Sequence, residues 1–255
     1  MKTAGIILAA GRGSRMKRLT AAQPKCMTQI AGKPLLHWQL AALRQAGVER
    51  ILVVRGYAAD CIQGDFETVE NLRWEKTNML SSLLCAEDFA QKTFAGGVEK
   101  IVVSYSDIVY HHDHVRNLLA CGQNIAMTYD TQWESLWKLR CDDVLLDAES
   151  FRQEGGLLRE IGAKPKSVEE IHGQYMGLLA FDAQGWQNAA EAAKSLGPVV
   201  DTTDMTSFLR LLLEQGHAIG AVPVSGKWCE VDNETDLRRY EEALAQGGWT
   251  HDWRG

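Results

Sequence analysis

The sequence predicts an α/β protein whose mostly parallel sheet is covered by helices on both faces. In the first half of the chain, short β-branched runs alternate with amphipathic segments in β-α-β-α-β order. The strand-like runs are almost entirely apolar, which is typical of strands buried on both faces. The chain has 255 residues and is 45% hydrophobic, enough for a sizeable core. We expect ligands at the carboxyl ends of the strands, where open sheets of this class bind them.

The first half contains five predicted elements. They are a strand in AGIILAA (4–10), a helix in LLHWQLAALRQAG (35–47), a strand in RILVVRG (50–56), a helix in SSLLCAEDFAQ (81–91) and a strand in EKIVVSYSDIVY (99–110). Gly47 follows the first helix pattern, where glycine commonly ends a helix.

The second half is more mixed. It contains strand patterns in GQYMGLLAFD (173–182) and AIGAVPV (218–224), and helix patterns in TSFLRLLLEQG (206–216) and NETDLRRYEEALAQ (233–246). Because no repeat, low-complexity segment or linker interrupts the chain, we expect residues 1–255 to form one domain.

The composition favours a small-molecule partner. A net charge of −6 and a pI near 5.7 argue against nucleic-acid or membrane binding, which requires a basic surface. The six cysteines contain no C-x-x-C pair, so neither a zinc site nor a redox motif is indicated. No leader pattern and no apolar run of about 20 residues is present. We therefore expect a cytoplasmic protein with reduced thiols.

A glycine-rich loop follows the first strand in GIILAAGRGSRMKRLTAAQPK (5–25). Glycines after a strand let a backbone approach a phosphate closely, although a tight turn would use them equally well. A dinucleotide fingerprint needs a third glycine where Met16 stands, and the Gly32-Lys33 pair runs into Pro34, which excludes a phosphate-binding P-loop. The basic residues that follow the glycines match the charge of a triphosphate.

The full spacing, L-A-A-G-x-G-S-R-x-x-x-L-T-x-x-x-P-K, resembles the signature of the nucleotidyltransferase superfamily. That resemblance implies a Rossmann-like, mostly parallel mixed sheet in the nucleotidyltransferase (GT-A-like) architecture. It also implies catalytic roles for Arg15 on the phosphates and Lys25 at the transition state. The cradle of the nucleotide would comprise Leu8, Ala9, Ala10, Gly11, Gly13 and Ser14. The proline usual after the arginine is absent, since Met16, Lys17 and Arg18 fill that stretch.

Two aspartates are candidate metal ligands. Asp107 follows an apolar run and Asp232 precedes a helix pattern, and in the family aspartates in such segments hold Mg²⁺. A helix cap or a turn is the alternative for Asp232, because Asp and Asn are both good caps. The His111-His112-x-His114 cluster fits no common ligand spacing, so we expect a solvated helix start there.

Two further segments, WEKTNMLSSLLCA (74–86) and SYSDIVY (104–110), resemble the T-N-M-x-x-S-L and Y-x-D-I-x-Y motifs of the phosphocholine cytidylyltransferase group, which also activates phosphonates and phosphoglutamine with CTP. The resemblance implies that Asn78, Ser81 and Ser106 contact the nucleotide, although capping explains Asn78 and Ser81 equally well. The candidate acceptor-binding residues are Tyr175, Met176, Trp133, Trp137 and Arg140. Ordinary packing explains the tryptophan spacing as well.

The resemblance implies Mg²⁺-dependent transfer of CMP from CTP to the phosphate or phosphonate of a small metabolite, with release of pyrophosphate. Residues up to about 125 would bind the nucleotide, and residues from about 126 to 245 would bind the acceptor and supply the second metal ligand. A homodimer is compatible with the family. Because Lys25 lies in a loop, we expect Lys25→Ala to reduce rate far more than stability.

Three alternatives stay open from sequence alone. A sugar-1-phosphate nucleotidylyltransferase would share the loop and the metal ligands. A non-catalytic nucleotide sensor would bind CTP without releasing pyrophosphate. A dinucleotide-dependent oxidoreductase is disfavoured by Met16.

Overall fold

A nine-stranded mixed sheet forms the centre of the molecule. The computed structural model describes residues 1–255 apart from the side chain of Lys17. Two two-stranded sheets, one of residues 29–30 with 33–34 and one of residues 108–110 with 228–230, accompany the large one. The strands are β1 (Thr3–Ala9), β2 (Gln29–Ile30), β3 (Lys33–Pro34), β4 (Arg50–Arg55), β5 (Glu67–Glu70), β6 (Lys100–Tyr105), β7 (Ile108–Tyr110), β8 (Ile125–Asp130), β9 (Phe151–Glu154), β10 (Leu157–Ile161), β11 (Gln174–Phe181), β12 (Ile219–Val224) and β13 (Trp228–Glu230).

Nine α-helices connect and cover these strands in the described chain. They are α1 (Leu35–Gln45), α2 (Met79–Leu84), α3 (Glu87–Ala95), α4 (His112–Ala120), α5 (Trp133–Arg140), α6 (Val144–Asp147), α7 (Ala183–Ser195), α8 (Met205–Glu214) and α9 (Glu234–Gln246). Gly47 follows α1 with φ 88°, a left-handed conformation that glycine adopts without strain.

The strand order of the large sheet is β5-β4-β1-β6-β11-β8-β12-β10-β9. The first four strands are parallel. Beyond β6 the pairing is mixed, because β11 runs antiparallel to both β6 and β8 whereas β12 is parallel to β8. The predicted α/β class with a mixed sheet is confirmed. Antiparallel pairs are concentrated in the second half, where the sequence pattern was also more mixed.

The alternation of side chains along the strands divides the core between the two sheet faces. In β1, Ile7 and Ala9 pack with α1, α4 and α9 on one face, whereas Ile6 and Leu8 pack with α2, α3, α7 and α8 on the other. A strand buried on both faces needs apolar residues at every position, which explains the unbroken apolar run at the N-terminus.

Two predicted elements are each divided in the structure. The strand predicted over 99–110 breaks at Ser106 and Asp107, because β7 leaves the large sheet to pair with β13. The helix predicted over 81–91 breaks at Cys85 and Ala86, so that α2 and α3 are separate helices. Neither break carries a glycine or proline.

The C-terminal segment is fixed to the sheet by a buried contact between a histidine and an aspartate side chain. The Nε2 atom of His251 lies 2.9 Å from Oδ2 of Asp130, and both side chains are fully buried. The other oxygen of Asp130 accepts hydrogen bonds from the backbone N–H groups of Gly226 and Gln132, each at 2.9 Å. Burial alone would raise the pKa of Asp130, but these hydrogen bonds hold it below its ordinary value.

No helix among the described residues combines the length and the hydropathy that crossing a membrane requires. All six cysteines are free thiols.

Asp130→Asn should lower the free energy of unfolding by about 1–3 kcal/mol at pH 7, because an amide nitrogen cannot accept the hydrogen bonds that the carboxylate accepts. Urea titrations of the variant, the parent protein and the exposed control Asp142→Asn measure this difference. Because the pKa of Asp130 is depressed in the folded state, its contribution is present above about pH 4 and is lost as the pH falls further. If the difference in the free energy of unfolding between Asp130→Asn and the parent protein stayed constant or widened in acid, this role of the Asp130 carboxylate would be contradicted.

Candidate active site

The glycine loop folds back so that Lys25 lies against Gly13. Gly13 has φ 73°, and a Cβ atom built on it would lie 2.6 Å from the Cβ of Lys25. A side chain at this position would therefore be strained in its backbone and would collide with its neighbour. After Pro24, a short 3₁₀ turn over Lys25–Met27 directs the lysine into the interior.

The ammonium group of Lys25 is shared by the two predicted metal ligands. Its Nζ atom lies 2.9 Å from Oδ2 of Asp107 and 2.8 Å from Oδ1 of Asp232. Burial opposes the positive charge, but the two carboxylates outweigh it and raise the pKa of Lys25 above its ordinary value. Lys25 is therefore charged across the physiological range.

A third carboxylate, Glu230, completes this cluster. One ligand oxygen from each of Asp107, Glu230 and Asp232 lies within 4.8 Å of the others. Arg140 supports the cluster, because its Nη1 lies 3.2 Å from Oε2 of Glu230 and its Nη2 lies 3.0 Å from Oδ2 of Asp232. Glu230 was not among the residues predicted from the sequence. The E-x-D spacing could have indicated it, since residues two apart on a strand share a face.

The surroundings shift the pKa values of Glu230 and Asp232 in opposite directions. Burial, and then the charge of Asp232, raise the pKa of Glu230 to about 8. Burial alone would also raise the pKa of Asp232, but the charges of Lys25, Arg15 and Arg140 hold it below its ordinary value. Asp232 is therefore ionised at neutral pH.

The donor set fits a hard divalent cation. All three acidic residues offer oxygen ligands, which such cations prefer. The Oδ1 atom of Asp107 is a buried acceptor with no hydrogen-bond partner among the described residues. These residues can therefore hold a divalent metal ion beside the lysine.

A cavity of about 310 Å³ lies along the glycine loop, and we call it the glycine-loop cavity. The sequence-predicted residues that line it are Leu8, Ala10, Gly11, Gly13, Ser14, Arg15, Lys25, Asn78, Ser106, Asp107 and Asp232. The lining is completed by four residues that were not predicted from the sequence to contact a ligand: Trp74, Thr77, Met79 and Ser82.

A second cavity of about 230 Å³, the aromatic cavity, is lined by Tyr105, Trp137, Tyr175 and Trp228 together with polar residues. Three of the five predicted acceptor residues, Trp137, Tyr175 and Met176, line it. Arg15 and Asp232 line both cavities, so the two cavities meet at these residues. The guanidinium of Arg15 lies 3.0 Å from Oδ1 of Asp232.

Four predicted residues line neither cavity. Ala9 alternates with Leu8 and Ala10 and packs in the core, and Trp133 is buried one turn before Trp137. Arg140 lies behind the carboxylates that it supports.

The fourth of these residues, Ser81, turns away from the glycine-loop cavity. Its hydroxyl donates to Asp201 at 3.0 Å, whereas its neighbour Ser82 lines the cavity. The serine of the T-N-M-x-x-S-L pattern is in fact Ser82, which explains the difference.

Helix capping was the alternative role for Asn78 and for Asp232, and the structure shows it only for Asn78. Asn78 caps α2 by accepting from the N–H of Met79, and it also lines the glycine-loop cavity. Asp232 is not the cap of α9, because Asn233 accepts from the N–H groups of Thr235 and Asp236.

The histidine cluster does begin a helix, α4. Contrary to the expectation of a solvated start, His111 and His114 are buried there, because His111 caps the helix and His114 binds the carbonyl of Gly226.

Comparisons with known proteins show the family of this chain. The protein-family model of the MobA-like NTP transferase domain matches residues 5–172, which is more than half of the chain. The chain belongs to this family. It is therefore a nucleotidyltransferase, and the glycine loop and Asp107 lie within the matched region.

Two curated relatives and one solved structure are similar to this nucleotidyltransferase. CTP:phosphoglutamine cytidylyltransferase of Campylobacter jejuni subsp. jejuni serotype O:2 is 35% identical over 245 residues, covering 91% of this chain and 96% of the relative. 2-Aminoethylphosphonate cytidylyltransferase of Lancefieldella rimae is 34% identical over 122 residues, covering 45% of this chain and 46% of the relative. The inositol-1-phosphate CTP transferase from T. maritima superposes with a TM-score of 0.71 at 18% identity over 96% of both chains, which confirms the fold.

Gly13→Ala should destabilise the nucleotidyltransferase by about 1–3 kcal/mol, because the new Cβ strains the backbone and displaces Lys25. Gly11→Ala is the matched control, since a Cβ built there meets open space among the described residues. Chemical denaturation of both variants measures the difference. Equal stabilities for the two variants would contradict the proposed contact.

Lys25→Met should reduce both activity and stability, which corrects the sequence-based expectation that mainly rate would fall. The lysine is buried between two carboxylates rather than exposed in a loop, so its removal leaves buried negative charge unpaired. We expect a loss of about 3 kcal/mol in the free energy of unfolding without divalent cations. The expected fall in kcat/KM is about 100- to 1,000-fold.

The control for the lysine substitution is Lys138→Met, on the exposed face of α5, where Lys138 pairs with Glu134 at 2.7 Å. An exposed pair of this kind contributes about 0.5 kcal/mol or less. Similar stability losses in the two variants would show that the Lys25 ion pairs do not support the fold.

Proposed function

We propose that this nucleotidyltransferase transfers CMP from CTP to the phosphate or phosphonate group of a small metabolite and releases pyrophosphate. The observation that carries the proposal is the meeting of the two cavities at Arg15 and Asp232. A nucleotide in one cavity and an acceptor in the other would bring their reacting groups together there. The similarity to two cytidylyltransferases supports CTP as the nucleotide.

The glycine-loop cavity would hold the nucleotide. The backbone N–H groups around Gly11 and Gly13, the Ser14 hydroxyl and Arg15 offer donors and positive charge to a triphosphate. Asn78, beside Trp74 and Thr77, offers an amide to the base or the ribose. Most of this lining comes from residues before about 125, and most of the aromatic cavity comes from residues 126–245, in line with the proposed division of the chain.

Transfer of CMP needs positioning and charge neutralisation rather than proton removal. The acceptor is already an anion, so one of its oxygens attacks the α-phosphorus and the bond from that phosphorus to the β-phosphate oxygen breaks. The bonding electrons leave with pyrophosphate. Lys25 neutralises charge at the α-phosphate, and Arg15 binds the phosphates where the two substrates meet.

Mg²⁺ is the proposed cofactor, held by Asp107 and Asp232 with Glu230 as an additional ligand. When bound, it neutralises phosphate charge at the reacting centre. Arg140 keeps the carboxylates in place from behind.

Pyrophosphate release should require CTP, Mg²⁺ and a non-sugar phosphate or phosphonate acceptor. The assay tests CTP, UTP, ATP and dTTP against phosphoglutamine, phosphonates, phosphocholine and hexose 1-phosphates. Asp232→Asn should reduce the rate at least about 100-fold, because it removes charge at the meeting point of the cavities. Chelation by EDTA should abolish turnover, and added Mg²⁺ should restore it.

Two outcomes of this assay would contradict the proposal. Turnover only with a hexose 1-phosphate would assign the chain to the sugar-1-phosphate branch of the nucleotidyltransferases. Binding of CTP without pyrophosphate release from any acceptor would indicate a nucleotide sensor.

A further inference from the structure

One wall of the glycine-loop cavity is built from a segment with little regular structure, residues 71–82, which we call the wall segment. Trp74, Thr77 and Asn78 lie between β5 and α2, and Met79 and Ser82 lie in α2, which has only six residues. A helix this short is not stable by itself. The shape of the wall therefore depends on contacts with other parts of the chain.

The side chain of Asn71 holds the wall segment on the side of the sheet. Its Nδ2 atom donates to the hydroxyl of Thr77 at 2.9 Å and to that of Ser82 at 3.1 Å. Its backbone N–H donates to the carbonyl of Arg55, at the end of β4, at 2.8 Å. Asn71 is 3% exposed. The wall segment is thus joined to the first half of the sheet.

A second residue, Asp201, holds the wall segment from the opposite half of the chain. Its carbonyl oxygen accepts from the backbone N–H of Asn78 at 2.7 Å. Its Oδ2 atom accepts from Nη1 of Arg73 at 2.6 Å, and its Oδ1 atom accepts from the hydroxyl of Ser81 at 3.0 Å. All three oxygens of Asp201 therefore bind the wall segment. Ser81 contributes to the wall through this contact rather than by facing the cavity.

Asp201 reaches the wall segment from the connection between α7 and α8. It ends the 3₁₀ turn Gly197–Asp201 and lies 128 residues after Arg73 in the sequence. Neither Asp201 nor Arg73 is among the described residues that line the two cavities. An effect of Asp201 on a bound nucleotide would therefore pass through Asn78 and its neighbours.

The ion pair between Asp201 and Arg73 is open to solvent. The side chain of Asp201 is 30% exposed and that of Arg73 is 64% exposed. The hydrogen bonds from Arg73 and then Ser81 hold the pKa of Asp201 below its ordinary value, so the carboxylate is ionised at neutral pH. Exposed pairs contribute little to the stability of a whole fold. The contacts of Asp201 can therefore be removed without unfolding the protein.

We propose that Asp201 is a positioning residue for the nucleotide, because it fixes Asn78 and the rest of the wall segment against the glycine-loop cavity. This inference rests on the proposed function and deepens it. Asp201 sets the affinity for the nucleotide, whereas the rate of transfer depends on the residues around Lys25. The second half of the chain thus contributes to nucleotide binding without touching the nucleotide.

The test measures CTP binding and turnover separately. Isothermal titration calorimetry with Mg²⁺ and no acceptor gives Kd for CTP, and pyrophosphate release gives kcat and both KM values. The variants are Asp201→Ala and Asp201→Asn. The matched control is Glu67→Ala, which removes an exposed carboxylate paired with Arg50 at 2.7 Å. That pair lies where β4 and β5 begin, at the opposite end of these strands from the glycine loop.

Asp201→Ala should raise Kd and KM for CTP by about tenfold and leave kcat and the acceptor KM within about twofold of the parent. The wall segment contacts the part of the nucleotide away from the reacting phosphorus, so binding is lost equally in the ground state and the transition state. Asp201→Asn retains an acceptor for Ser81 and should lose only about threefold. Glu67→Ala should behave like the parent.

A double-substitution cycle tests whether Asp201 acts through Arg73. Arg73→Ala should raise Kd for CTP by about threefold, and the variant with both alanines should bind CTP about as weakly as Asp201→Ala alone. This result is expected because the two single substitutions remove one shared contact. Effects on Kd that multiply in the double variant would show that the two residues act independently and would contradict the proposed contact.

Different failures separate the inference from the proposed function. An unchanged Kd for CTP in Asp201→Ala, or a fall in kcat with KM unchanged, would overturn the inference and leave cytidylyl transfer standing. If the parent protein bound CTP but released no pyrophosphate with any acceptor, the proposed function would fail, and the Kd values would still decide the role of Asp201. Absence of CTP binding by the parent protein would overturn both.

Discussion

The ammonium group of Lys25 joins two carboxylates that the chain supplies from distant positions. Asp107 lies 82 residues and Asp232 lies 207 residues further along the sequence. Buried charges of one sign are unfavourable unless partners of the other sign accompany them, so each of these three groups needs the others. The glycine loop, the end of β6 and the segment before α9 must therefore converge. The same convergence brings the glycine-loop cavity against the aromatic cavity.

Much of the fold is predictable because the central strands are buried on both faces. Their uninterrupted apolar runs and the amphipathic helices between them specify the parallel half of the sheet. The antiparallel position of β11 between β6 and β8 depends on pairing between distant segments, which no local pattern records. The departure of β7 from the sheet is of the same kind, since its partner β13 lies far along the chain.

The candidate site was predictable where the residue types are tied to backbone geometry. A short motif defines the positions of residues that follow a strand or lie in a turn, as Gly13, Lys25 and Asp107 do. Trp74 offered no such signal, because its place in the lining of the glycine-loop cavity depends on how distant segments fold together and not on a local motif. Trp133 was predicted to bind the acceptor but packs in the core, because helical spacing alone could not distinguish a core residue from one that lines a cavity.

Product analysis by ³¹P NMR tests the central claim most directly. With CTP, Mg²⁺ and an acceptor that supports turnover, the account predicts one pyrophosphate for each CTP consumed and a new pair of coupled resonances from CMP joined to the acceptor phosphorus. A phosphonate acceptor places one member of that pair in the phosphonate region of the spectrum. Formation of CDP and inorganic phosphate, or of free CMP without a joined product, would contradict transfer of CMP at the meeting point of the two cavities.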